Sequence, residues 1–176
     1  REVSIEDLLG RDKVTLDLTS IKNGITNKKI LVTGGGGSIG SELCKQIVAF
    51  DPLQLVIFER SEYNLYKIEN ILSDTNVKCE FVLGDLCDRD NVEYVVRRFK
   101  PDIIFHAAAY KHVPILERQP REGIKNNILG TKNIADVADL NNCESFILIS
   151  TDKAVNPTNT LGATKRIAEI YTEILN

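Results

Sequence analysis

The sequence predicts a three-layer α/β fold, a parallel β-sheet with helices on both faces. Three observations predict it. Five short runs rich in Ile, Val, Leu and Phe alternate with helical segments. The runs are apolar at consecutive positions, as in strands covered on both sides. A glycine-rich segment joins the first run to the helix that follows it.

Residues 1–27 read as an N-terminal arm or linker and 28–176 as the domain itself. In the arm, "SIEDLLGR" suits a short helix starting near Ser4 or Asp7, and "KVTLDL" alternates like an exposed strand. Lys22, Asn23, Gly24 and Asn27 mark a turn. The first buried strand is "KKILVTG", ending at Gly34, and its helix, "SELCKQIVAF", stops at Asp51 and Pro52. "QLVIFE" is the second strand. The helix over Tyr63 to Leu72 has a stripe at Leu65, Ile68, Ile71 and Leu72. "CEFVLGD" and a helix from Asp88 to Phe99 follow, then the strand "DIIFHAAA" and a longer helical region from Glu117 to Asn141. "SFILIS" is the fifth strand, and a last helix begins near Thr160. Such a series closes with right-handed crossovers.

The 176 residues suffice for one domain with a real core. A net charge of −3, mixed along the chain, speaks against a phosphate-neutralising nucleic-acid surface. Cys44, Cys79, Cys87 and Cys143 are scattered, and neither their spacing nor the two histidines suits a metal site. They read as reduced, buried thiols of a cytosolic protein. No apolar run approaches the roughly 20 residues that span a bilayer. The missing initiator methionine and the helix still open at Asn176 read as a piece of a longer protein.

The segment "TGGGGSIG" places Gly34, Gly37 and Gly40 in a GxxGxxG spacing between a strand and a helix. Gly34 permits the turn, Gly37 lets the backbone approach a pyrophosphate, and Gly40 lets the helix pack close to the strand. The free N–H groups at Ser38 and Ile39 and the helix dipole favour phosphate charge. This is the nucleotide-binding arrangement of a Rossmann-type fold, with NAD(H) or NADP(H) as the ligand. Glu59, ending the second strand, suits ribose hydroxyls and favours NAD. Arg60 suits a 2′-phosphate and keeps NADP open. Asp85 and Leu86 border the adenine, or Asp85 caps the helix near Asp88.

Ligands of parallel sheets lie at the carboxyl ends of the strands. After strand four come Ala107, Ala108 and Ala109, small enough for a cofactor to lie close, then Tyr110, Lys111 and His112. After strand five come Thr151, Asp152 and Lys153, and later Lys165. Asp152 and Lys153 suit a proton acceptor and donor beside a cofactor. They equally suit a solvated turn with a surface ion pair.

The segments "ILVTGGGGSIGSELC", "HAAAYKHVP", "NNILGTKN", "STDKAVNPTN" and "LGATKR" resemble the nucleotide-sugar 4,6-dehydratases of bacterial polysaccharide and glycan synthesis. These are extended short-chain dehydrogenase/reductase proteins, and the usual substrate is UDP-N-acetylglucosamine. The resemblance covers the whole chain. It implies hydride removal from sugar C4, elimination of water across C5 and C6, and hydride return to C6. It assigns the elimination to Asp152 and Lys153, polarisation of the C4 oxygen to Thr151, nicotinamide-ribose binding to Lys165, and ordering of the site to Asn127. Lys111, His112 and Glu117 are implied near the sugar or its phosphates. A homo-oligomer is expected, with the Pro120 to Asn141 helix as the surface through which it assembles. The resemblance also implies a domain truncated before its C-terminal substrate lobe, cytoplasmic, of a parent whose membrane segments lie outside this chain. Such a piece is expected to bind dinucleotide weakly and to turn over little. One position departs from the superfamily. The tyrosine four residues before the lysine is Leu161 here, which cannot exchange protons. The 4-OH proton then goes to Asp152 or through water. Two other readings stay open, a UDP-sugar C4 epimerase and a non-catalytic nucleotide-binding module.

Overall fold

A computed structural model describes residues 17–175. Helix α1 (Leu18–Ile25) leads into five strands: β1 (Lys29–Thr33), β2 (Gln54–Glu59), β3 (Cys79–Leu83), β4 (Ile103–His106) and β5 (Ser145–Leu148). Helices α2 (Ser38–Val48), α3 (Glu62–Ile71) and α4 (Arg89–Phe99) make the first three crossovers. Between β4 and β5 run α5 (Val113–Arg118), α6 (Pro120–Gly123), a π-helical stretch (Ile124–Leu129) and α7 (Gly130–Leu140). A short 3-10 turn (Asp152–Ala154) and α8 (Thr160–Ile174) follow β5. The described strands form one sheet of order β3-β2-β1-β4-β5, and every pairing is parallel. This is a Rossmann-type α/β fold.

Alternation along each strand sends successive side chains to opposite faces. On one face Leu31, Val56, Phe58 and Ile104 pack against Val92, Val95 and Val96 of α4 and Ile134 and Val137 of α7. On the other, Ile30, Val32, Leu55 and Ile57 meet Ile25 of α1, Cys44 and Ile47 of α2, and Ile68 of α3. β2 is therefore buried along its whole length, whereas the edge strands β3 and β5 are only half-covered.

The arm differs from its expectation. Ser4, Asp7 and most of "KVTLDL" lie outside the described residues, but Leu18 opens a helix rather than closing a strand. Asp17 caps it, accepting from Thr19 N and Ser20 N at 3.1 Å each. Ile21 and Ile25, four apart, turn one face onto the second core cluster. That burial carries the helix through Lys22, Asn23 and Gly24, and the turn moves on to Asn27, whose φ is 60°.

The region after β4 also differs, for it begins at Val113 and not at Glu117. Gln119, at φ −134° and ψ 58° and so out of the helical region ahead of Pro120, separates α5 from α6. Asp88, rather than Asp85, caps α4, accepting from Asn91 N at 3.1 Å. No described helix is long and apolar enough to cross a membrane.

Candidate functional site

A cleft of about 170 Å³ opens where β1 and β4 lie side by side while the chain's order reverses. Of the residues expected around a dinucleotide, Gly34, Gly37, Glu59, Arg60, Asp85, Leu86, Ala107, Ala108 and Ala109 line it. Phe58, Asn64, Gly84, Tyr110 and Asn126 line it too. Phe58, Gly84 and Tyr110 come from strand ends and the segments just after them, Asn64 from α3, and Asn126 from the π-helical stretch.

The glycine loop is held by backbone bonds. Gly34 N donates to the Phe58 carbonyl at 2.8 Å, and Gly37 N to the Gly34 carbonyl at 3.0 Å. Gly34 sits at φ +66°, and a Cβ there would stand 2.7 Å from Ala108 Cα. A Cβ on Gly40 would overlap the Gly34 carbonyl, so only glycine lets α2 start this close to the loop. Gly37 caps α2 without a side chain, which leaves the first-turn N–H groups of Ser38 and Ile39 for an anion. Lys111 reaches over this end, its Nζ donating to Ser38 Oγ at 3.3 Å. These residues fit a dinucleotide pyrophosphate.

Glu59 ties the loop to the sheet. Its buried carboxylate accepts from Gly36 N at 3.1 Å and from Ser61 N at 2.9 Å. Two lone-pair sites remain on it for other donors. Next to it, the Arg60 guanidinium lies 3.6 Å from the Asp85 carboxylate and 4.7 Å above the Tyr110 ring. It also donates to the Tyr110 hydroxyl. Asp85 accepts from Cys87 N at 2.9 Å. Leu86 is buried in the core and presents its backbone carbonyl to Asn133 Nδ2 at 2.9 Å.

Asn127 lies fully buried in the π-helical stretch. Its Oδ1 accepts from Tyr110 N at 2.8 Å, and its Nδ2 donates to Tyr110 O and to Thr164 Oγ1, each at 3.1 Å. One side chain thereby joins the exit of β4 to α8. π-Helical turns of this kind cluster at functional sites. Beneath it, His106 is completely buried. Thr131 spends its hydroxyl proton on the Asn127 carbonyl at 2.7 Å, so it accepts from His106 Nε2–H at 2.8 Å. Nδ1 then accepts from Thr33 Oγ1 at 2.6 Å. Burial, with the Lys165 charge, pushes the imidazole down to about 3, so it is neutral. His106 escapes sequence reading because it stands inside an apolar strand.

Lys165 is likewise buried, 4% exposed, and its Nζ donates to the Ile149 carbonyl at 2.5 Å. Burial lowers its pKa to about 8 against the opposing pull of Glu169. Leu161, one turn earlier, is buried as a packing residue. Thr151, Asp152 and Lys153 stand apart from the cleft lining. Thr151 Oγ1 donates to Asp152 Oδ1 at 3.0 Å, and Lys153 Nζ lies 3.2 Å from the same oxygen. The Asp152 side chain is 85% exposed, and these two neighbours hold its carboxyl below the usual range. Glu117 caps α8 from a distance, accepting from Thr160 N at 2.6 Å. His112 starts α5 through its backbone carbonyl. The described residues contain no cluster of three His, Cys, Asp or Glu side chains suited to a metal.

Strand order, glycine loop and cleft define a Rossmann-type domain of the extended short-chain dehydrogenase/reductase superfamily. The chain belongs to the polysaccharide biosynthesis protein family, whose model matches residues 30–176. It is 50% identical over 179 residues to the capsular polysaccharide biosynthesis protein CapD of Staphylococcus aureus, covering 100% of this chain and 30% of that protein. It is 37% identical over 139 residues to an inverting UDP-N-acetylglucosamine 4,6-dehydratase of Campylobacter jejuni, covering 78% and 40%. It is 36% identical over 147 residues to a UDP-glucose 4-epimerase of Rickettsia bellii, covering 81% and 42%. Pen from Bacillus thuringiensis, an X-ray structure, superposes with a TM-score of 0.81 at 31% identity, covering 86% and 46%. The chain spans less than half the length of each of these relatives.

Proposed function

We propose that this chain is the cofactor-binding part of an NAD-dependent enzyme that remodels the sugar of a UDP-sugar through a C4 ketone. Its product would feed surface polysaccharide or glycan assembly. The observation that carries this reading is the cleft. Its floor is Gly34 packed on Ala108, one end is the open first turn of α2, and the other carries Glu59 and Asp85. That sequence of small, cationic-dipole and acidic surfaces matches a pyrophosphate flanked by an adenosine ribose. When bound, NAD supplies the acceptor for the C4 hydride and the donor that returns it.

The protein's own residues supply the rest. Ser38, Ile39 and Lys111 hold the pyrophosphate. Asn127 fixes the Tyr110 peptide and the Thr164 hydroxyl, and so the position of α8. Lys165, on α8, presents a buried cation beside the β5 exit. A cation there lowers the pKa of a neighbouring proton acceptor. Leu161 can take no proton, so the 4-OH proton goes to another group.

Two fates of the ketone are favoured by different observations. Thr151, Asp152 and Lys153, a hydroxyl, a carboxylate and an ammonium in one turn, favour removal of the C5 proton with departure of the C6 hydroxyl as water. The outward ion pair of Asp152 with Lys153, and the 36% identity to an epimerase, favour return of the hydride to the opposite face of C4. Incubating the full-length enzyme with UDP-N-acetylglucosamine separates them. A product lighter by one water supports dehydration. An equal mass with inverted C4 by NMR supports epimerisation. Unaltered sugar nucleotide across UDP-sugars counts against both.

A further inference from the structure

The cleft rim bears a cation with two engaged partners. Arg60, Asp85 and Tyr110 come from the ends of β2, β3 and β4 and meet across the mouth. The guanidinium lies over the Tyr110 ring at 4.7 Å, bonds its hydroxyl, and sits 3.6 Å from the Asp85 carboxylate. The ring it rests on is fixed, because Asn127 grips the Tyr110 peptide at both its N–H and its carbonyl. Asp85 is fixed in turn by the Cys87 N–H. A free arginine here would be a ready partner for a 2′-phosphate, which carries close to two negative charges and accepts bidentate bonds. This arginine is engaged by one hydrogen bond, to the Tyr110 hydroxyl, and by its ion pair with Asp85. With Glu59 beside it, the rim carries two carboxylates to one guanidinium, so an added phosphate meets net negative charge and competes with Asp85 for the guanidinium.

We infer that Tyr110 and Asp85 are specificity-determining residues that clasp Arg60 against the rim and thereby exclude a 2′-phosphorylated dinucleotide. The inference rests on the dinucleotide reading of the cleft. It turns a position that sequence leaves ambiguous, Arg60, into one whose preference is set by two residues distant in the chain.

The test is calorimetric titration of the full-length protein with NAD and with NADP, for the wild type and four variants. Asp85→Asn keeps the acceptor for Cys87 N–H but removes the charge. Tyr110→Phe keeps the ring but removes the hydroxyl. Both are expected to tighten NADP relative to NAD, Asp85→Asn by about tenfold and Tyr110→Phe by a smaller factor. Arg60→Ala is expected to weaken NADP further, and Arg60→Ala combined with Asp85→Asn to lose most of the gain, since the freed cation is its source. An NADP/NAD ratio unmoved by Asp85→Asn and Tyr110→Phe, with both dinucleotides still binding, overturns the clasp alone. A wild type that prefers NADP overturns it as well. A wild type that binds neither dinucleotide overturns the reading of the cleft and the clasp with it.

Discussion

Lys165 Nζ donates to the carbonyl oxygen of Ile149 at 2.5 Å, so an ammonium group lies buried against the exit of β5. Its pKa in the folded chain is about 8, below the ordinary 10.5, chiefly because burial disfavours the charge. Between those values the unfolded chain holds the proton and the folded chain does not. Stability therefore rises with pH across that window. Lys165→Met is expected to lose the rise and, below pH 8, to be more stable by on the order of 1–2 kcal/mol. Denaturant titrations from neutral to alkaline pH check both.

His106 gives the opposite end of the profile. Its pKa of about 3 in the folded state lies below the ordinary 6.5, again through burial first and the Lys165 charge second. The unfolded chain takes up the proton first, so stability falls as pH falls from 6.5 towards 3. His106→Gln should flatten that limb while costing about 1–3 kcal/mol at neutral pH through its disturbed bonds to Thr33 and Thr131. Acid denaturation of the two proteins is the measurement. In the parent, nitrogen NMR of the imidazole should show a single neutral tautomer with the proton on Nε2.

Two glycines make a matched pair. Gly40→Ala drives a methyl into the Gly34 carbonyl and should cost more than about 2 kcal/mol, with loss of dinucleotide binding. Gly24→Ala, in α1 with nothing within 4 Å of the new Cβ, should stabilise by about 0.5–1 kcal/mol. Thermal melts rank the two.

Asn127→Ala removes the partners of Tyr110 N–H and Tyr110 C=O and one partner of the Thr164 hydroxyl. Buried groups left without partners cost about 1–3 kcal/mol each. The variant should melt several degrees lower and bind dinucleotide more weakly, because Tyr110 lines the cleft. A melting point equal to the parent's would show that the three bonds carry little.

The central sheet and the glycine loop were legible because both are written in contiguous residues. β2 is buried along its length, and "QLVIFE" is apolar at the four consecutive positions between its Gln and Glu ends. The parts that escaped are set by partners far along the chain. Gly24 and Asn27 spell a turn locally, yet Ile21 and Ile25 find a core face built by β1, β2 and α2. His106 meets Thr33, 73 residues earlier, and Arg60 meets Tyr110, 50 residues later. Asp152 and Lys153 were marked as chemical by type. Type alone does not say whether a strand-end carboxylate faces a cleft, and here it faces its neighbour.

The most direct measurement follows a deuterium label placed on C4 of UDP-N-acetylglucosamine through the full-length enzyme. A reaction through a C4 ketone with internal hydride return predicts that the label stays in the product, on C6 if water is lost and on C4 if the centre is inverted. Product that keeps the label on an uninverted C4, or product that has lost the label to solvent throughout, would contradict it.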